Sequence, residues 1–453
     1  MISALMLLLV QISGPATQDL EADLRALAKP LIDGEVVPSL VVSWLSPEAG
    51  SGTFGMGQLS REDPRVPGEA TAFEIGSVTK TFTALLLARR VALGELALNT
   101  ELNDLLPKDC QSPATTTPVR LVDIVTHSAG FPAIPSNLER DMSLFVVDYS
   151  VFDEDKMRSF LRGFESVTDP GETFLYSNSG FGVLGWALAN RAESSFEQLL
   201  QTELFEPLEL TNTFVRITDE RAKTLAPSHD PNGDLVPPAD FATLEACGAI
   251  RSTAADMMRF LRAQLAPTGE LAPAIELTQT VNFRDPRGFS IGLAWQFSRD
   301  GEVLFHDGQT NGQACFVFFK PSTQTAGLIL ANGTTPRVAE LGVRLMKRIH
   351  GEAVEPPTVR VGVSLTEDQL MPLEGVYLSI FGSAMEITRK QNRLYARLPR
   401  QAAFRLHPAS ETKFFYRDIA AEISFEVKAS DAAASTVILH QNGREIRYVR
   451  RKH

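Results

Sequence analysis

Ser77-Val78-Thr79-Lys80 places an alcohol and an amine three residues apart, one helical turn from each other on the same face. An alcohol attacks a carbonyl carbon at neutral pH only when a base removes its proton, and an amine is such a base only when uncharged. The run that follows, residues 82–93, is apolar nearly all round and marks a buried helix. Burial disfavours the ammonium form and lowers a lysine pKa. A serine and a lysine at the start of a core helix therefore point to acyl transfer. Ser-x-x-Lys is a low-information pattern on its own, and a helix-capping Ser77 with a solvated Lys80 is the alternative.

Two further stretches could complete such a site. In Pro170-Gly171-Glu172-Thr173-Phe174-Leu175-Tyr176-Ser177-Asn178, a phenol and an amide stand two residues apart in a loop. Tyr176 could relay a proton to a leaving group, and Asn178 could hold both Lys80 and a substrate carbonyl. A tyrosine packed under a loop and a turn-forming asparagine are the bland alternative. In Phe305-His306-Asp307-Gly308-Gln309-Thr310-Asn311-Gly312, leading into a strand at 315–319, the glycine would let a substrate backbone approach the strand edge. Edge N–H groups there could stabilise an oxyanion, with a merely structural His306 as the alternative.

The elements that must hold these residues follow from the rest of the chain. At 453 residues it is too long for one ordinary core, so two domains are expected. A hydrophobic fraction of 44% and a charged fraction of 22% are those of a soluble globular protein. The net charge of −12 argues against a nucleic-acid partner. The basic tail at 444–452 reads as a solvated strand end. Residues 1–12 resemble the apolar core of a secretory signal, and Gly14-Pro15-Ala16 offers small residues for cleavage, although the leading positive charge is missing. Residues 1–16 are therefore read as a signal peptide of a secreted or periplasmic protein, with a non-cleaved N-terminal membrane anchor as the alternative. The stretch is short for a stable membrane span, and nothing later looks transmembrane. Cys110, Cys247 and Cys315 are odd in number and widely spaced, which fits buried free thiols better than disulfides or a zinc site.

Residues 39–45 read as a strand with 52–57 as its hairpin partner, and the serine helix should end near Gly94. Residues 96–265 are mostly helices and Pro-rich loops, including a helix capped by Thr253. Strand character returns at 291–297, 303–306, 315–319 and 326–331. One sheet assembled from both ends, with a helical insertion, would place a site at the seam. Residues 351–364, with Pro356-Pro357 and few apolar anchors, read as a linker. Beyond them the short alternating strands and the hairpin signal Asn442-Gly443 predict a small all-β barrel or sandwich. Gly180-Phe181-Gly182-Val183-Leu184-Gly185 matches a dinucleotide fingerprint, but no buried strand leads into it, so close helix packing is expected. Thr126-His127-Ser128-Ala129-Gly130 is similar to a nucleophile elbow without the strand rhythm that such an elbow needs.

Taken together, in this order and at these separations, the three motifs resemble the serine β-lactamase and penicillin-binding-protein superfamily. The likeness is closest to the branch of class C β-lactamases, secreted DD-peptidases, D-aminopeptidases and related esterases. Residues 121–132 and 248–257 match as well, and the resemblance spans residues 24–349. The closing domain resembles the lipocalin-like barrels attached to some of these peptidases. The resemblance implies an α/β (α+β) fold over 17–350: an antiparallel sheet flanked by helices, plus an all-helical subdomain. A linker at 351–364 and a β-barrel domain at 365–453 would follow.

Carried over by position, Ser77 would be the nucleophile and Lys80 its base or proton relay. Tyr176 would transfer protons in both half-reactions, beside Asn178. His306 and Gly308 stand where the third motif usually has lysine and glycine, and the N–H groups of Ser77 and Gln309 would form the oxyanion hole. The family's reaction passes through an acyl-enzyme that water hydrolyses, on a small-molecule or peptide substrate, with no metal or organic cofactor. The oligomeric state is left open. Many β-lactamases have a fixed cation where this chain has His306, and a hydroxyl where it has Asp307; an acid there disfavours a free substrate carboxylate. The expectation is a peptidase or esterase acting on D-amino-acid peptides, amides or small esters. A class C-like β-lactamase and a catalytically silent penicillin-binding receptor are the alternatives.

Overall fold

The computed structural model describes residues 15–111, 117–142, 144–145, 147–427 and 433–451, with side chains from Leu20 onward. Residues 1–14 of the expected signal peptide and Lys452 of the basic tail lie outside the described residues.

Ser39–Ser46 is apolar on both faces, as a strand must be when both sides of its sheet are covered. It pairs antiparallel with Gly50–Gly57 on one side and Thr325–Ala331 on the other, Leu40 lying opposite Met56 and Ala331. The sheet continues through Ala314–Lys320, Leu304–Gln309, Gln296–Phe297 and Ser290–Ile291 to Phe283–Arg284, eight strands in all among the described residues. Both ends of the domain thus meet in one sheet, as expected, and the intervening chain forms the helical part.

The two-residue period of the strands sorts the core. Val41, Val317, Phe319 and Leu328 point to one side, while Val42, Phe316, Phe318 and Ile329 point to the other. The second side is closed by Pro15–Asp33 and Arg337–Ile349, the latter presenting Val338, Leu341, Leu345 and Ile349 at helical spacing. The first side is closed by Ala254–Leu265 and the helical region, which includes the serine helix Thr79–Ala92. Gly182 and Gly185 in the helix Asn178–Arg191 are packing glycines. A Cβ would lie 2.2 Å from Leu244 Cδ2 at the first and 2.0 Å from Ala246 Cβ at the second.

The closing strands, Gly375–Ser379 through Arg444–Arg450, form a closed antiparallel barrel of eight strands. Asn442 and Gly443 turn its last hairpin with φ of 52° and 70°, the signature of a type I′ turn. The segment expected to be weakly anchored, 351–364, has no regular structure but is tied down. Val354 and Val359 pack on the second core, and the Val363 N–H donates to the Pro408 carbonyl at 2.8 Å. The three cysteines are buried and free. Among the described residues no helix is long and apolar enough to cross a membrane.

Candidate active site

The serine helix begins against a strand, and two glycines make that possible. The tight turn Gly76–Val78 feeds the helix, with Gly76 at φ 49°. A Cβ at Gly76 would lie 2.7 Å from the Gln309 nitrogen, and one at Gly308 would lie 2.1 Å from the Ile75 carbonyl oxygen. Only glycine at both places lets this turn lie along the end of Leu304–Gln309. Gly308 does border the cleft, but the space its missing side chain leaves is filled by the protein's own backbone rather than kept for substrate. Cys315 Sγ donates to the same Ile75 carbonyl at 3.0 Å. Ser77 is therefore held beside Gln309.

Lys80 is completely buried. Its Nζ lies 3.0 Å from Ser77 Oγ, 2.7 Å from Asn178 Oδ1 and 2.7 Å from the Cys247 carbonyl oxygen. Burial lowers its pKa to about 8, against the opposing pull of Cys247 and Asp307. The two carbonyl oxygens can only accept, so a neutral amine gives both its hydrogens to them. Its lone pair is then left for the hydroxyl of Ser77. The arrangement directs the base at the alcohol.

Asn178 opens its helix behind the cap residue Ser177, whose Oγ accepts from the Gly180 N–H at 2.9 Å and donates to the Pro132 carbonyl at 2.7 Å. With Lys80 donating to it, the asparagine oxygen faces Lys80, and its Nδ2 donates to the Tyr149 hydroxyl at 2.9 Å. Tyr176 sits just before the cap. Its ring stacks on His127 with centroids 4.3 Å apart, and Lys80 Nζ lies 4.9 Å from its centre. Burial pushes the Tyr176 phenol well above its ordinary pKa, while a side-chain hydrogen bond with Ser77 opposes that shift. His127, at φ 57°, accepts the Ser177 N–H on Nδ1 at 3.0 Å, so its proton resides on Nε2. Burial, then Lys80 and His306, hold its pKa well below the usual imidazole range. Ser128, the serine of the elbow-like motif, is buried and shares a 2.9 Å hydrogen bond with Thr126, away from this cluster.

Strand alternation separates the two third-motif side chains. His306 is 1% exposed and points beneath the cleft, with Nδ1 2.6 Å from the Asp307 carbonyl and Nε2 lacking a hydrogen-bond partner. Burial lowers its pKa to about 4, with Asp307 opposing and Lys80 reinforcing. Asp307 faces the other way and lines the cleft. His306, expected to face substrate, therefore lies beneath the site, because its strand neighbour takes the cleft side; Asp307, with Gly308 and Gln309, makes the wall.

Ser77 borders two cavities. One, about 430 Å³, is walled by Phe174, Tyr176, Arg287, Phe289 and Asp307. Arg287 at its mouth is paired with Asp285 at 2.7 Å. The other, about 270 Å³, is walled by Arg140, Tyr149, Asn178, Phe241 and Thr310. A buried carboxylate that no local motif announces fixes this second wall. Glu74 Oε1 accepts from the Ala239 N–H at 2.8 Å and from Arg251 Nη2 at 3.2 Å, and Oε2 accepts from Thr310 Oγ1 at 2.6 Å. Tyr149 was equally silent in the sequence, where it lies in a loop without periodicity.

An antiparallel sheet, a helix beginning in Ser-x-x-Lys against its edge and a Tyr-x-Asn loop across from it define a serine acyl-transfer enzyme by class. The Beta-lactamase family model matches residues 34–349, and the chain belongs to that family. A beta-lactamase of Escherichia coli (strain K12) is 26% identical over 286 residues, covering 62% of this chain and 71% of that protein. One from Lysobacter lactamgenus is 25% identical over 374 residues, 80% and 90% of the two chains. Among solved structures, a class C beta lactamase from Rhodobacter sphaeroides has a TM-score of 0.62 at 23% identity, covering 74% of this chain and 100% of that one. A Beta-Lactamase/D-Alanine Carboxypeptidase from Pseudomonas syringae reaches 0.64 at 21% identity, with the coverage again 74% and 100%. The structural likenesses concern the fold, and the substrate is a separate question.

Proposed function

We propose that this protein is a serine hydrolase that cleaves D-amino-acid peptides, amides or small esters through an acyl-enzyme. The observation that carries the reading is the hydrogen-bond set of Lys80, which leaves its lone pair for Ser77. In the acylation step Ser77 Oγ bonds to the carbonyl carbon as its proton passes to Lys80 Nζ. The N–H groups of Ser77 and Gln309 hold the oxyanion. As the tetrahedral intermediate collapses, the bond to the leaving group breaks and the leaving atom takes a proton from Tyr176, which Lys80 replenishes. Water then attacks the ester, giving its proton back along the same route and releasing the acid and free Ser77.

On this reading the cavity beside Tyr176 takes the leaving group, and the cavity beside Asn178 and Tyr149 takes the acyl group. Asp307 on the leaving-group wall argues for substrates without a free carboxylate at that place. The guanidinium of Arg287 at the same mouth favours the second reading, β-lactam hydrolysis, and the names of the relatives agree with it. A panel of nitrocefin, short p-nitrophenyl esters and D-Ala p-nitroanilide separates them. The expected result is ester and anilide turnover that Ser77→Ala abolishes and Ser128→Ala keeps. Rapid nitrocefin hydrolysis with no turnover of D-Ala amides or esters would overturn the proposal.

A further inference from the structure

One short stretch of the barrel touches both segments that form the outer wall of the acyl-side cavity. The ring of Phe404, on the strand Phe404–Pro408, packs edge-on against Phe145 with centroids 5.0 Å apart. Phe145 belongs to the loop that carries Arg140, Val147 and Tyr149 to the cavity. On either side of Phe404 the backbone grips a second segment. Asn232 Nδ2 donates to the Ala403 carbonyl at 2.9 Å, and the Arg405 N–H donates to Asn232 Oδ1 at 2.7 Å. Asn232 lies in the turn of the hairpin Ser228–His229/Leu235–Val236, whose outgoing arm leads to Ala239, Asp240 and Phe241 on the opposite side of the same cavity.

The grip is reinforced one strand away, where Arg393 Nη1 lies 3.2 Å and the Tyr395 hydroxyl 3.0 Å from the Asp234 carboxylate. The two gripped segments then meet over the cavity, where the rings of Tyr149 and Phe241 stack at 5.6 Å and 15°. Among the described residues, none from the barrel lines the cavity itself. Any influence of the barrel on substrate must therefore pass through the placement of these two segments.

We propose that the C-terminal barrel is a specificity element: through Phe404 and the backbone of Ala403 and Arg405 it sets the spacing of the two segments and so the acyl groups the site accepts. The inference rests on the serine hydrolase reading and its assignment of the acyl side. Phe404 and Asn232 are positioning residues, remote from the bond being broken.

The test uses the full chain and a pair of p-nitrophenyl esters, one acetyl and one phenylacetyl. The acetyl group is too small to reach the stacked rings, whereas the phenylacetyl group must pass between the segments that carry them. Phe404→Ala and Asn232→Ala are each expected to shift the phenylacetyl-to-acetyl ratio of kcat/KM by about three- to tenfold, mostly through KM, because one aromatic or hydrogen-bonded contact is lost. Phe404→Tyr should restore the native ratio. A merely stabilising barrel would lower both esters in parallel, and that outcome, or an unchanged ratio in both variants, overturns the proposal. If the unmutated protein hydrolyses neither ester and a fluorophosphonate does not label Ser77, the hydrolase reading falls and takes this inference with it.

Discussion

The pH dependence of Ser77 acylation tests the central chemistry directly. Lys80 must be neutral to accept the proton, so a lowered pKa means more competent base near neutrality. With the value at about 8, set chiefly by burial, about one tenth of the molecules carry the free amine at pH 7 and about nine tenths at pH 9. The second-order rate of fluorophosphonate labelling should accordingly rise about tenfold over that interval and then level off. A lysine at its ordinary 10.5 would instead give about a hundredfold rise with no plateau. His306, lowered to about 4, stays neutral throughout and adds no inflection. Asp307 raises the Lys80 pKa, so Asp307→Asn should move the midpoint to lower pH. The measurement is labelling at Ser77 followed by mass spectrometry between about pH 6 and 10, a range that brackets the lowered value and reaches its plateau. A rate independent of pH, one still climbing with unit slope at the alkaline end, or a midpoint moved upward by Asp307→Asn would each refute the argument.

Three substitutions test the scaffold. Gly308→Ala would press a methyl group against the Ile75 carbonyl, so a loss of about 1–3 kcal/mol in urea unfolding should accompany slower labelling of Ser77. Arg251→Met would strip the buried Glu74 carboxylate of its cation and should cost about 3–5 kcal/mol by the same assay, far more than an exposed arginine such as Arg287. Tyr149→Phe removes the acceptor of Asn178 Nδ2, a contact worth about 1 kcal/mol, and should lower kcat/KM about fivefold while the melting temperature barely moves.

What could be read from the chain beforehand divides along sequence distance. Ser77 and Lys80 stand one turn apart, so helical geometry alone brings them together. The Tyr-x-Asn loop needed a resemblance to place it, because Lys80 and Asn178 are 98 residues apart. Glu74 and Arg251 stand 177 residues apart, and neither belongs to a pattern that announces a buried pair. Tyr149 likewise joins the site through a loop whose path no propensity dictates. His306 and Asp307 were both read as bearing on substrate, yet only Asp307 lines the cleft. Neighbours on a strand face opposite sides, so only one of them could line the cleft. The segment 351–364 carries few apolar residues, and the core on which its Val354 and Val359 pack is assembled from helices at both ends of the domain.

On the proposal above, the barrel bears on function through its outer surface. Eight strands enclose a space just wide enough for side chains or one small ligand. Here Tyr377, Leu394, Leu406, Phe414, Ile423 and Phe425 belong to the buried apolar cluster inside it. Its working surface is the outside, and that surface meets the catalytic domain through polar groups. Arg393 and Arg405 are only 10% and 12% exposed, paired with Asp234 and Glu35 at 3.2 and 3.0 Å. Ion pairs at such a seam are weak evidence of stability, since removing both charges from water offsets much of their attraction. They are directional, however, and a guanidinium finds its carboxylate in few orientations. Such contacts restrict the docking angle more than apolar packing would. That angle is the one that puts Phe404 against Phe145 and Asn232 between Ala403 and Arg405.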